Sequence, residues 1–198
     1  MSLRAGASLV ALALLACGCA SMRSTYRVVQ PGIYTIGNTY TVAPQHTWSR
    51  SPLSGFSPRF EMWTIDGVGL ESLRFYSGIA DGEPLIAGGA NDAQRPRFRA
   101  SMTAAEISEI VAETLFGNRF PPRDVRPVSF GGTDGFRFEV SYATAGGVRR
   151  EAMVAGSVVD KRLHVIAYEG TALYHFARYR AEAEHIMRSV RLKPTAPR

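Results

Sequence analysis

The body of this chain contains no cysteine. Its two cysteines, Cys17 and Cys19, stand together near the N-terminus, so no disulfide can staple the fold from within. Histidine is nearly as scarce, with four in the chain. His175 and His185 lie ten apart on one predicted helix, out of phase for an i, i+4 chelate. His164 alternates with Leu163 and Val165 on a predicted strand. No metal and no cofactor is expected from this set. A nucleophile elbow is missing too, since Ala155-Gly156-Ser157-Val158-Val159 fails the Gly-x-Ser-x-Gly pattern at both flanking positions. Glu106, Glu109 and Glu113 are spaced as a solvated helix face rather than as a paired acid and base. Gly131-Gly132-Thr133-Asp134-Gly135 leads into a strand with no following Lys-Ser or Lys-Thr, and reads as a turn instead of a phosphate cradle. The chain is therefore expected not to be an enzyme, with a small envelope hydrolase of unrecognised site as the alternative. There is no internal repeat, no heptad run and no apolar stretch long enough to span a bilayer as a helix.

Hydrophobic residues make up 45% and charged residues 20%, which fits a globular domain rather than a disordered chain. The formal charge is +6. This excess suits an anionic lipid or polyanion surface, and many plain soluble domains carry as much.

The longest apolar run, Leu9 to Ala16, follows Arg4 and has the length of a secretory h-region. It ends in Leu14-Leu15-Ala16-Cys17, which resembles the lipobox of bacterial lipoproteins. That resemblance implies a signal peptide over residues 1–16, cleavage before Cys17, a diacylglycerol on the Cys17 thiol, and a lipidated tether over 17–25. Ala16-Cys17-Gly18-Cys19 offers a second, poorer box, which leaves Cys19 open as the acylated residue. Gly18 rather than Asp follows Cys17, which by resemblance to Gram-negative sorting implies the periplasmic face of the outer membrane. Without the leader the chain holds 22 basic and 17 acidic residues, a net of +5, in roughly 180 residues, the size of one domain.

From residue 26 to 192 the pattern is that of a single α+β domain, with a short tail over 193–198. Short strands are expected at 26–29, 33–36 and 40–42, then an irregular Ser- and Pro-rich stretch from Pro44 to Pro58 around Trp48. Residues 60–65 and 70–75 form a hairpin across Asp66-Gly67-Val68-Gly69. Residues 78–101 read as a long loop. Thr103 and Glu106 make a capping box that opens a helix closed by Gly117. Phe136, Phe138, Val140 and Tyr142 alternate with polar residues on a strand, the first of a three-stranded meander through Val148–Val159 and Leu163–Tyr168. A last helix is expected from about Ala172 to Val190. Both helices are expected to cover the face of Phe136, Phe138, Val140 and Tyr142.

Gly135-Phe136-Arg137-Phe138-Glu139-Val140, then Arg162-Leu163-His164-Val165-Ile166-Ala167-Tyr168, then a helix ending in Ile186-Met187-Arg188-Ser189-Val190-Arg191, resemble the C-terminal half of the PsbP-type fold. Bacterial lipoproteins, photosystem II accessory proteins and the nuclear-transport Mog family share that fold. The hairpin at 60–75 and the helix at 103–116 fall in the same order. The resemblance implies an antiparallel sheet flanked by helices in a non-enzymatic binding or assembly factor, and it carries over no functional residue.

Arg95, Arg97 and Arg99 are the candidate binding residues. In an extended segment, residues two apart point the same way, and guanidinium suits planar anionic groups such as phosphate and carboxylate. The expected partners are the membrane, through the lipid, and an envelope protein or anionic ligand, with nucleic acid excluded by the compartment.

Overall fold

The computed structural model of the protein describes residues 25–55, 57–88 and 94–193. Cys17 and Cys19, with the leader and nearly all of the tether, lie outside the described residues. Eight strands form one antiparallel sheet in the spatial order β1-β4-β5-β6-β10-β9-β8-β7. They are β1 (Arg27–Val29), β4 (Trp48–Arg50), β5 (Phe60–Thr64), β6 (Glu71–Ala80), β7 (Arg123–Phe130), β8 (Thr133–Ala143), β9 (Arg149–Val159) and β10 (Arg162–Thr171). The hairpin β2 (Tyr34–Ile36) and β3 (Tyr40–Val42) joins the C-terminal β11 (Arg191–Leu192) in a second, three-stranded sheet. Among the described residues two helices, α1 (Ala104–Phe116) and α2 (His175–Arg188), complete an α+β sandwich.

The helices lie on opposite faces of the large sheet, because consecutive strand residues belong to different cores. On β9, Ala152 and Val154 pack with Ile107, Val111 and Phe116 of α1. Met153 and Ala155 pack with Phe176, Ile186 and Met187 of α2. Phe136, Phe138 and Val140 join the α1 core, while Ile186 and Val190 belong to the other one. The single shared face expected from sequence is thus replaced by two. A period of two fixes which residues share a face, but it does not say which helix covers that face.

Local chemistry explains most element ends. The Thr103 hydroxyl accepts from the Glu106 amide, and the Glu106 carboxylate takes the Thr103 amide at 2.7 Å, closing the capping box. Gly117, with φ of 97°, ends α1. Asp160 and Lys161 both have positive φ and join β9 to β10 in a two-residue hairpin. Gly131 has φ of 63°, and a Cβ there would meet Leu192 at 2.8 Å, so this tight turn also lets β11 pass close by.

Three elements depart from the expected pattern. The stretch around Trp48 holds β4 and a 3₁₀ turn (Pro52–Gly55). A whole strand, β7, runs from Arg123 through Val128 to Phe130 ahead of the meander. Pro127 and the charged Arg123, Asp124 and Arg126 hide it from a β-propensity reading, and they are tolerated because β7 is an edge. Helix α2 starts at His175, three residues later than expected.

The order of the strands gives the sandwich two ends. One is formed by the turns 65–70 and 144–148 and the connection 172–174. The other is formed by residues 81–88 and 94–99 and the turns at Gly131–Gly132 and Asp160–Lys161.

Candidate functional site

At the second end residues 81–88 and 94–99 of the expected long loop come together as a folded strap. Gly82 donates to Phe98 O at 2.8 Å, Phe98 donates back to Glu83 O at 2.9 Å, and Pro84 bridges Arg97. Phe98 is 1% exposed and Leu85 is buried, both in the α1 core. Because Phe98 points inward, its neighbours Arg97 and Arg99 point outward and are exposed. Arg95 is half-buried. None of the three guanidiniums swings loosely. Arg95 Nη1 donates to Ile86 O at 2.5 Å, Arg97 Nη1 donates to Gly82 O at 3.1 Å, and Arg99 lies 3.8 Å from Asp81. A shallow cleft of about 330 Å³ runs beside Arg95, lined by Ile86, Gln94, Pro96, Glu113 and Thr114.

The other end is braced on both faces by polar side chains from distant parts of the chain. On the α1 face, Glu169 accepts from Arg74 at 2.6 Å and from Ser72 at 3.1 Å, and it also takes the Tyr142 hydroxyl. Arg150, 5% exposed, donates to Tyr142 at 3.0 Å and to Gly69 O at 2.8 Å, tying β9 to the 65–70 turn. Burial pushes the Tyr142 hydroxyl pKa up, and the neighbouring Glu169 carboxylate pushes it further.

On the α2 face, Glu71 has no exposed surface. One of its oxygens accepts from the Thr64 hydroxyl at 2.6 Å and from the amides of Ile65 and Asp66 at 2.6 and 2.9 Å. Burial raises its pKa above the ordinary carboxylate range, although these three donors pull the other way.

Above Glu71 runs a chain of donors and acceptors. Thr171 Oγ1 lies 2.8 Å from His175 Nδ1, His175 Nε2 lies 3.7 Å from Asp66, and the Tyr179 hydroxyl donates to Asp66 at 2.7 Å. Hydroxyl, imidazole and carboxylate in this order are the components of a nucleophilic triad. Here the Thr171 hydroxyl also accepts from the His175 amide at 3.4 Å, which is a helix-capping role.

His164 is a packed residue. It is 4% exposed, lies edge-on to Tyr40, and its Nδ1 accepts from Gly78 N at 3.2 Å. Burial, helped by Arg162 and opposed by Asp160, lowers its pKa from 6.5 to about 4. His46 pairs with Glu182 at 2.9 Å, and this carboxylate also takes the Gln45 and His46 amides. Among the described residues no three His, Cys, Asp or Glu side chains gather to hold a metal. Among the same residues no helix is long and apolar enough to cross a membrane.

Arg95, Arg97 and Arg99 were visible in the sequence. The braced end was not, because Asp66 and Glu71 lie about a hundred residues from Thr171, His175 and Tyr179. The one local hint is a charged residue among strand-forming neighbours, as with Arg74 between Leu73 and Phe75.

No family model and no characterised protein sequence matches the chain. Solved structures do. The cyanobacterial PsbP protein CyanoP from Synechocystis is similar with a TM-score of 0.54 at 11% identity, over 88% of this chain and 97% of that one. The fold is PsbP-like. A protein from Bacteroides thetaiotaomicron matches with a TM-score of 0.49 at 9% identity over 85% of this chain, which spans about half (51%) of that protein. LpqN, a Mycobacterium tuberculosis protein involved in cell envelope biogenesis, matches with a TM-score of 0.39 at 10% identity over 88% of each chain. At these identities the PsbP likeness establishes architecture and leaves ligand and partner to the residues themselves.

Proposed function

We propose that this chain is a lipid-anchored protein of the cell envelope, held through Cys17 at the periplasmic face of the outer membrane. It acts as a non-enzymatic binding or assembly factor whose Arg95, Arg97 and Arg99 meet an anionic partner. The observation that carries this reading is the inward Phe98 between two outward arginines. A buried aromatic fixes the segment, so the charges are presented on a rigid support, as binding residues on loops commonly are.

Two experiments test the parts separately. Cys17→Ser should abolish palmitate labelling, and continued labelling would move the anchor to Cys19. Replacing Arg95, Arg97 and Arg99 together with Ser should cost under about 1 kcal/mol, because exposed ionic contacts contribute little. The same variant should recover less partner from solubilised envelope, and wild-type recovery should fall with salt. Unchanged recovery with a collapse in stability would make the arginines structural.

The hydrolase alternative rests on Thr171, His175 and Asp66. It predicts turnover of an activated ester that disappears in Thr171→Ala. The capping role predicts no turnover in either protein.

A further inference from the structure

Leu173 is 99% exposed, the extreme among the large apolar residues described. It does not stand alone. Thr171 donates to Leu70 O at 3.1 Å and Ala172 donates to Arg149 O at 3.0 Å, so the 172–174 connection is held between the β5–β6 turn and the start of β9. Leu70 (41% exposed), Val148 (49%) and Tyr174 (50%) therefore surround Leu173 on one end of the sheet. Exposed apolar side chains gathered on a rigid base mark a contact surface, since they lower stability nowhere and solubility everywhere. The base is rigid. Arg150 clamps the turn carbonyl of Gly69, Glu169 is held by three partners, and the Tyr168 hydroxyl donates to His175 O at 2.7 Å.

The surroundings of the patch are basic. Arg149 follows Val148, Arg178 stacks on the Tyr174 ring at 5.1 Å, and Arg119 precedes Phe120, whose ring lies 6.0 Å from that of Tyr142. Asp66 is the exposed acid on this end, and it is occupied by Tyr179. Leucine at the tip, tyrosine beside it and arginines around the rim match the depth profile of a lipid interface, with hydrocarbon inside and phosphate outside.

The tether can reach. Arg27 lines up across the sheet with Arg50, Trp63, Leu73 and Tyr168. Strand β1 runs toward this end, so Thr25 lies two residues farther from it than Arg27, and the level of Leu173 is about 23 Å from Thr25 along the strand direction. From Cys17 to Thr25 the chain extends up to about 29 Å.

We infer that the end of the sheet bearing Leu70, Val148, Leu173 and Tyr174 is a membrane-contact surface that seats Leu173 in the interface of an anionic bilayer. This orients the domain with the arginine strap away from the lipid. The inference rests on the lipid-anchored reading, and the test separates the two. The mature protein is purified from membranes, palmitate labelling is checked, and the protein is reconstituted in vesicles of phosphatidylethanolamine and phosphatidylglycerol with brominated acyl chains. Trp48 and Trp63 are both 0% exposed and serve as a constant background. Leu173→Trp should give blue-shifted emission quenched at least about twofold more than Ile86→Trp, placed on the strap at the other end. Equal quenching in an acylated protein overturns the contact surface and leaves the anchor standing. Absence of acylation overturns the anchor. A blue shift without bromine quenching assigns the patch to a protein partner or a second copy, and also overturns the inference.

Discussion

The two ends of the large sheet are finished in opposite ways. At one end an inward aromatic, Phe98, pins a strap whose outward residues are arginines. At the other end buried polar and charged side chains, Arg150, Glu169 and Glu71, form the inner support, and the outward Leu70, Val148, Leu173 and Tyr174 are apolar with arginines at their rim. The usual rule of apolar inside and polar outside holds at the strap and is inverted at the Leu173 end. An apolar patch on so firmly braced a base lowers solubility unless something covers it. The strap looks like a surface built to stay in water, and the Leu173 end looks like one built to leave it.

The largest effect that can break this comparison is a core truncation under the strap. Phe98→Ala should cost on the order of 3–5 kcal/mol in urea unfolding, as buried Phe truncations do, whereas Leu173→Ser should change stability by less than about 0.5 kcal/mol. Comparable losses at both positions would show that Leu173 is packed. The next effect separates the ends by pH. His164, beneath the strap end, titrates at 6.5 when unfolded and at about 4 when folded. The unfolded chain therefore binds the extra proton, and stability should fall by up to about 3 kcal/mol as pH drops from 6.5 to 4. His164→Asn keeps an acceptor for Gly78 and should flatten that slope in denaturant titrations at several pH values. A slope unchanged in the variant would assign the acid sensitivity elsewhere. The smallest effect comes from the opposite end. Glu71 has a raised pKa, so the unfolded chain loses its proton first, and the fold loses stability as pH rises from the ordinary carboxylate value, near 4.5, through the raised one. Glu71→Gln should have a higher melting temperature than wild type at pH 7, an advantage that disappears at pH 4. A lower temperature at pH 7 would mean that the ionised carboxylate is needed by the Ile65 and Asp66 amides.

Much of the sandwich was legible in the residues. Thr103 and Glu106 announced α1, and the alternation at Phe136, Phe138 and Val140, followed by two turn signals, announced the meander β8-β9-β10. Edge strands were harder. β7 carries three charged residues and Pro127, and its bulge between Arg123 and Arg126, where Asp124 has φ of 54°, serves edge protection rather than propensity. The strap has no signature in the sequence, because a single buried Phe98 between arginines has no period of its own. The braced end could not be read at all. Its contacts join residues up to 113 positions apart, as between Tyr179 and Asp66, and only the sheet order brings them together. Arg95, Arg97 and Arg99 were found by spacing, and the structure adds what holds each of them in place.

The claim that the two ends meet different surroundings can be read from a pair of singly labelled variants. Spin labels are attached at Leu173→Cys or Arg97→Cys in an acylated Cys19→Ser background and reconstituted in phosphatidylglycerol vesicles. Their collision rates are then measured with oxygen dissolved in the lipid and with a water-soluble nickel chelate. A label at position 173 that favours oxygen, beside a label at 97 that favours nickel, is the predicted result. Equal preference for nickel at both positions would contradict the account.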